Sequence, residues 1–61
     1  MDRRHEEAAV VELLTEVGRW PAGTVGTVVV ADDSSALVEI SDDRGHGLDF
    51  VGLEHTALAA T

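Results

Sequence analysis

The run Ala22–Val30, AGTVGTVVV, constrains this chain more than any other stretch. Threonine and valine are stiff at χ1 and suit a pleated, half-buried surface, so the segment reads as a strand. Two glycines three residues apart sit at its mouth. Gly23 offers a sharp turn into the strand, and Gly26 offers a close backbone approach or a bulge. The chain has 61 residues and no cysteine, which removes disulfide and thiolate–metal staples. A domain of this size hides only roughly 60% of the surface its unfolded chain exposes. One domain with a thin core follows, and binding a partner or a second copy is a common source of further stability.

The remaining segments alternate around that strand. Residues 1–7 are polar after Met1 and are expected to form a flexible N-terminus, with a single domain over 8–61. In the stretch that follows, Val10, Leu13, Leu14 and Val17 have helical spacing, whereas Val11 and Leu13 around Glu12 fit a strand. Pro21 pushes Trp20 toward extended backbone, making GRWPAG an irregular connection. Asp32–Ser35 reads as a turn, ALVEI as a strand with Val38 and Ile40 on one face, and SDDRGHG as a second turn. LDFV alternates again, Gly52 suggests a bend, and a single turn around EHT precedes a short last strand holding Leu58. The expected core is Val11, Leu13, Val28, Val30, Val38, Ile40, Phe50, Leu53 and Leu58. Three strands joined by short polar turns form a meander, and an extended piece at each end makes a five-stranded, all-β barrel.

The stretches AVVELLTEV and AGTVGTVVVADDSSALVEISDDRGHGLDFVGLEHTAL resemble a family of short bacterial proteins of unknown function with SH3-like barrels. The similarity runs through Val10–Leu14, Gly23–Val29, Val38–Ile40, Asp42–Gly45, Leu48–Val51 and Leu58. The resemblance implies a strand for Val10–Leu14, and it carries no catalytic residues to transfer. This chain ends in Ala59, Ala60 and Thr61, where members often have a basic residue or proline followed by an apolar one. The glycine spacing is also similar to KOW elements of ribosomal and transcription proteins. Small barrels of this type occur as accessory parts of larger enzymes, nitrile hydratase among them, an analogy of fold alone.

Charge excludes several partners. Twelve acids against four arginines and no lysine give a formal net charge of −8. From Pro21 onward there are seven carboxylates and one arginine. Nucleic-acid affinity comes largely from cationic side chains displacing counterions, so nucleic acid is not an expected partner. Anionic membranes are disfavoured for the same reason. Glu6, Glu7 and Glu12 interrupt the only apolar stretch near the N-terminus, which argues against a signal peptide or a membrane span. A cytoplasmic location is the resulting expectation.

The residues with chemical potential read as architecture. Asp42, Asp43 and His46 have local spacing for a cation, but the segment lacks the ordered ligands of a calcium loop, and Arg44 opposes a metal. Ser34, Ser35 and Ser41 stand outside any nucleophile elbow, with His46 and His55 as conceivable bases. The GxxG element is followed by a strand and no lysine, unlike a phosphate loop. No catalytic residue, metal or cofactor is therefore expected, and the chain does not read as an enzyme.

Trp20 is the sole tryptophan, in the loop equivalent to the ligand-gripping loop of SH3-like barrels. It either plugs an open barrel end or contacts a partner, where tryptophan is favoured. The expected contact set is Trp20 with Asp32, Asp33, Asp42, Asp43 and Asp49. These residues point to an interaction module for a partner protein, including a basic one in the manner of an immunity or antitoxin factor, or for self-association. The alternative is an accessory subunit or chaperone of a larger enzyme.

Overall fold

The computed structural model describes residues 5–61; the rest of the expected flexible segment, 1–4, lies outside the described residues. Five strands make one antiparallel sheet: β1 (Val10–Leu13), β2 (Val25–Ala31), β3 (Ser35–Ser41), β4 (Gly47–Glu54) and β5 (Leu58–Ala60). Their order is β4-β3-β2-β1-β5. The chain is therefore all-β and barrel-like, as its alternation implies. The sheet does not close, because β4 and β5 remain its two edges.

The helical spacing of Val10, Leu13, Leu14 and Val17 loses to tertiary packing. Residues 10–13 form a strand paired on both sides, with β2 and with β5. Val11 and Leu13 point inward and are fully buried, while Val10 faces out. Burying two large apolar side chains from four residues outweighs the weak helical preference of a segment this short.

Gly26 occupies a close approach between strands. It lies opposite Val11, and a Cβ there would come within 2.5 Å of Val38 Cγ1 and 2.8 Å of the Glu39 carbonyl oxygen. Only the absence of a side chain lets β3 close over β2 at this point. Gly23 turns the chain into β2 with a φ of +93°, a conformation that L side chains resist.

The core consists of Val11, Leu13, Val28, Ala36, Val38, Ile40, Val51 and Leu58. Three expected members differ. The β2–β3 register shifts between Val28 and Val30, and the additional residue, Val29, turns Val30 to the outer face, where it is 58% exposed. In β4 the inward positions are Asp49 and Val51, opposite Ile40 and Val38. Phe50 consequently lies outside, 56% exposed. Leu53 is only partly buried against the core. Gly52 is not a bend but a position within β4. A 3₁₀ turn over His55–Ala57 links β4 to β5, where the single turn is expected.

Candidate functional site

The loop between β1 and β2 is more ordered than its composition suggests. Val17 and Trp20 exchange backbone hydrogen bonds of 2.8 Å each way, forming a miniature hairpin around Gly18 and Arg19. Gly18 takes a φ of +55°, which matches a tight hairpin turn with glycine at its first central position. The hairpin fixes Trp20 where it packs against the core and stays partly exposed.

Trp20 meets β4 there. Its indole Nε1–H donates to Asp49 Oδ2 at 2.8 Å, and the Arg19 guanidinium lies 4.7 Å from the ring centroid on the indole face, within cation–π range. The other oxygen of Asp49 accepts the Phe50 backbone N–H at 2.9 Å. Asp49 is held below the ordinary aspartate pKa by the Trp20 indole first, then by the Phe50 amide. Partial burial opposes these effects, and the positive charge of Arg19 adds to them.

The two acidic turns follow one pattern. Asp32 Oδ1 accepts the amides of Ser34 and Ser35 at 2.9 and 2.8 Å, together with their hydroxyls. Asp42 Oδ1 accepts the amides of Arg44 and His46, both at 2.9 Å, and its Oδ2 faces His46 Nδ1 at 3.2 Å. The pKa values of both carboxyls are lowered, that of Asp32 chiefly by the Ser34 amide and that of Asp42 chiefly by the His46 amide. Each turn therefore has a first aspartate that caps backbone amides, followed by a second, exposed one, Asp33 or Asp43.

The expected contact residues do not converge on one site. Register places Asp49 opposite Ile40 and Gly47 opposite Ser41, so Trp20, Asp49, Asp42 and Asp43 share one end of the sheet. Asp32 and Asp33 sit at the far end of β3, about 20 Å away over six strand steps. Among the described residues no group of three or more His, Cys, Asp or Glu side chains gathers in a metal-binding arrangement. The hydroxyls of Ser34 and Ser35 donate to Asp32 rather than to a histidine.

A histidine pair at the far end was not foreseen. His55 is 5% exposed; its Nδ1 accepts the His5 backbone N–H at 2.9 Å and its Nε2 lies 2.7 Å from the Asp32 carbonyl. An acceptor at Nδ1 leaves Nε2 as the donor, which selects one neutral tautomer. The His5 ring stacks on His55 with centroids 5.6 Å apart, and its Nε2 lies within 3.2 Å of the His55 and Leu58 carbonyls. This clamp ties residue 5 to the β2–β3 turn and the 3₁₀ turn. Its members are fifty residues apart, a distance at which sequence offers no signal.

No protein-family model, curated protein or solved structure matches this chain.

Proposed function

We propose that the protein is an acidic interaction module that binds a basic partner protein. The observation that carries this reading is the sign of the charges on its framework. The ionisable side chains of the five strands are Glu12, Glu39, Asp49 and Glu54, and every one is acidic. Together with the turn residues Asp32, Asp33, Asp42 and Asp43 they outnumber Arg19 and Arg44 eight to two, so the sheet and its turns carry a net negative field. Such a field repels polyanions and accelerates encounter with a cationic surface. Trp20 supplies an apolar contact at the end where Asp42, Asp43 and Asp49 gather. Accessory binding to a larger enzyme is the form this takes if the partner has catalytic activity that falls when the small protein is withheld.

Affinity capture from the native host, followed by association kinetics with the recovered partner, tests the reading. Asp43→Lys is the informative variant, because Asp43 is exposed and lies outside the amide caps of its turn. The association rate should fall severalfold at low salt, and the difference should shrink at high salt. A neutral or acidic partner, or an unchanged rate, would overturn the proposal.

A further inference from the structure

The outer face of the sheet carries a second feature, distinct from the Trp20 end. Strand pairing aligns Val10, Thr27, Glu39 and Phe50 in one row across β1–β4, and Val30, Leu37 and Gly52 in the next. Five large apolar side chains on this face are exposed: Val10, Val25, Val30, Leu37 and Phe50. An antiparallel sheet with one solvated face ordinarily places polar residues there. A cluster of exposed apolar side chains on one face marks an interaction surface more often than scattered single residues do.

The charges within this face are negative. Glu39 stands between Thr27 and Phe50 in its row, and Glu12 pairs with Val25. The Glu39 side chain lies over Gly47, where a Cβ would approach its Oε2 to 2.9 Å. None of the strands contributes a lysine, arginine or histidine. A covering segment must therefore bring apolar groups and cations together.

Charge disfavours a second copy. Self-packing would set Glu12 and Glu39 against acids of an identical chain carrying a net charge of −8, and like charges brought together cost affinity. The row from Val10 to Phe50 crosses about 14 Å over four strands, a width that an extended segment can cover.

The geometry points to this face as the docking surface for an extended segment of the basic partner, with apolar and cationic side chains alternating on its contact side. This inference rests on the basic-partner reading and adds where that partner lands. Apolar groups pack on Phe50, Leu37 and Val30, while an arginine or lysine meets Glu39. Gly52, opposite Leu37 and with open space where its Cβ would be, leaves a notch in the row.

The test uses the full chain and a twelve-residue peptide, Val-Ser-Arg-Ser repeated three times, which places valine and arginine on one side of a strand. Two control peptides replace arginine by glutamate or valine by serine. Backbone amide shifts on titration should map to Thr27, Leu37, Glu39, Phe50 and Gly52, and both controls should bind at least fivefold more weakly. Phe50→Ser and Glu39→Gln should each weaken the parent peptide at least fivefold, with thermal melts confirming that both variants fold. Shifts confined to the Asp32–Ser35 or Asp42–His46 turns would overturn the inference, as would indifference to Phe50→Ser. A dimer by light scattering that Phe50→Ser converts to monomer would assign the face to a second copy and overturn it too. If the partner captured from the host is basic yet binds Phe50→Ser normally, only the docking face fails; a partner that is not basic removes the reading beneath it.

Discussion

The indole N–H of Trp20 donates to the carboxylate of Asp49 across 2.8 Å, joining the β1–β2 loop to the edge strand β4. Twenty-nine residues separate the pair in sequence, and no other side chain–side chain hydrogen bond among those described spans so many. The bond gives Trp20 two roles. Its ring packs against the core, and its N–H favours the ionised form of Asp49.

That ionisation sets an acid limit for the bond. The pKa of Asp49 lies below the ordinary 3.8, so the contribution of this group to stability is fully present above 3.8 and fades as pH falls through the lowered value. Asp32 and Asp42 are shifted in the same direction and add to the same acid loss. Trp20, as the only tryptophan, reports locally: its fluorescence should stay flat from neutral pH down to about 4 and change below that. Asp49→Asn, which keeps an acceptor but has no proton to gain, should remove the local component and leave only global unfolding.

Gly26→Ala tests the close approach at the centre of the sheet. The Glu39 carbonyl, 2.8 Å from the built Cβ, is backbone and cannot swing aside. Overpacking of this kind costs about 1–3 kcal/mol, which in a domain of this size lowers the melting temperature by roughly 4–8 °C per kcal/mol. A calorimetric or circular-dichroism melt within 2 °C of the parent would contradict the geometry.

Leu13→Ala and Val30→Ala separate the inner face from the outer one. Leu13 is 1% exposed, and a buried leucine truncated to alanine costs about 2–5 kcal/mol. A domain this small holds only about 3–9 kcal/mol in total, so Leu13→Ala should be largely unfolded at 37 °C. Val30, turned outward by the β2 bulge, should change stability by no more than about 0.5 kcal/mol. Equal destabilisation of the two by urea titration would mean that the bulge is absent.

Removing the histidine clamp should free the N-terminal segment before it affects the sheet. His55→Ala leaves the His5 amide and the Asp32 carbonyl without their protein partner, at a cost of about 1–3 kcal/mol. Ala8, whose amide bonds the Val28 carbonyl at 2.7 Å and whose φ is +70°, holds a strained conformation next to that clamp. Its amide hydrogen exchange should accelerate at least tenfold, while exchange at Val38 follows only the global change in stability. Unchanged exchange at Ala8 would show that the clamp does not hold the segment.

Asp42 and Asp43, alike in sequence, should differ in consequence. Asp42→Ala strips two amide caps from the β3–β4 turn and should lower the melting temperature. Asp43→Ala should leave it within about 1 °C, because the side chain projects into solvent. Equal effects in parallel melts would show that the turn does not depend on its first aspartate.

Much of the fold was legible in the chain. Alternation in Ala36–Ile40, the β-branched run before Ala31 and the two polar turns specify a meander, because a period of two with one apolar face has few other stable outcomes. Gly23 and Gly26 announced a turn and a close contact, and each supplies one. The paired acids were legible as turn residues, since aspartate carries its own acceptor to nearby amides. The acidic charge that motivates a basic partner is likewise a property of composition.

Tertiary structure decided what alternation alone leaves open. Which face of Leu48–Leu53 turns inward depends on the pairing of Val38 with Val51, and a strand with apolar residues at both parities does not specify this locally. The single extra residue at Val29 moved Val30 from core to surface, because a bulge changes parity without changing composition. Pairing on both sides made Val10–Leu13 a strand where spacing allowed a helix. The Trp20–Asp49 and His5–His55 contacts join residues far apart in the chain, so only the curl of the sheet could bring them together. The length of β3 separated the acids of the two turns, and strand register gathered the exposed apolar side chains on the outer face.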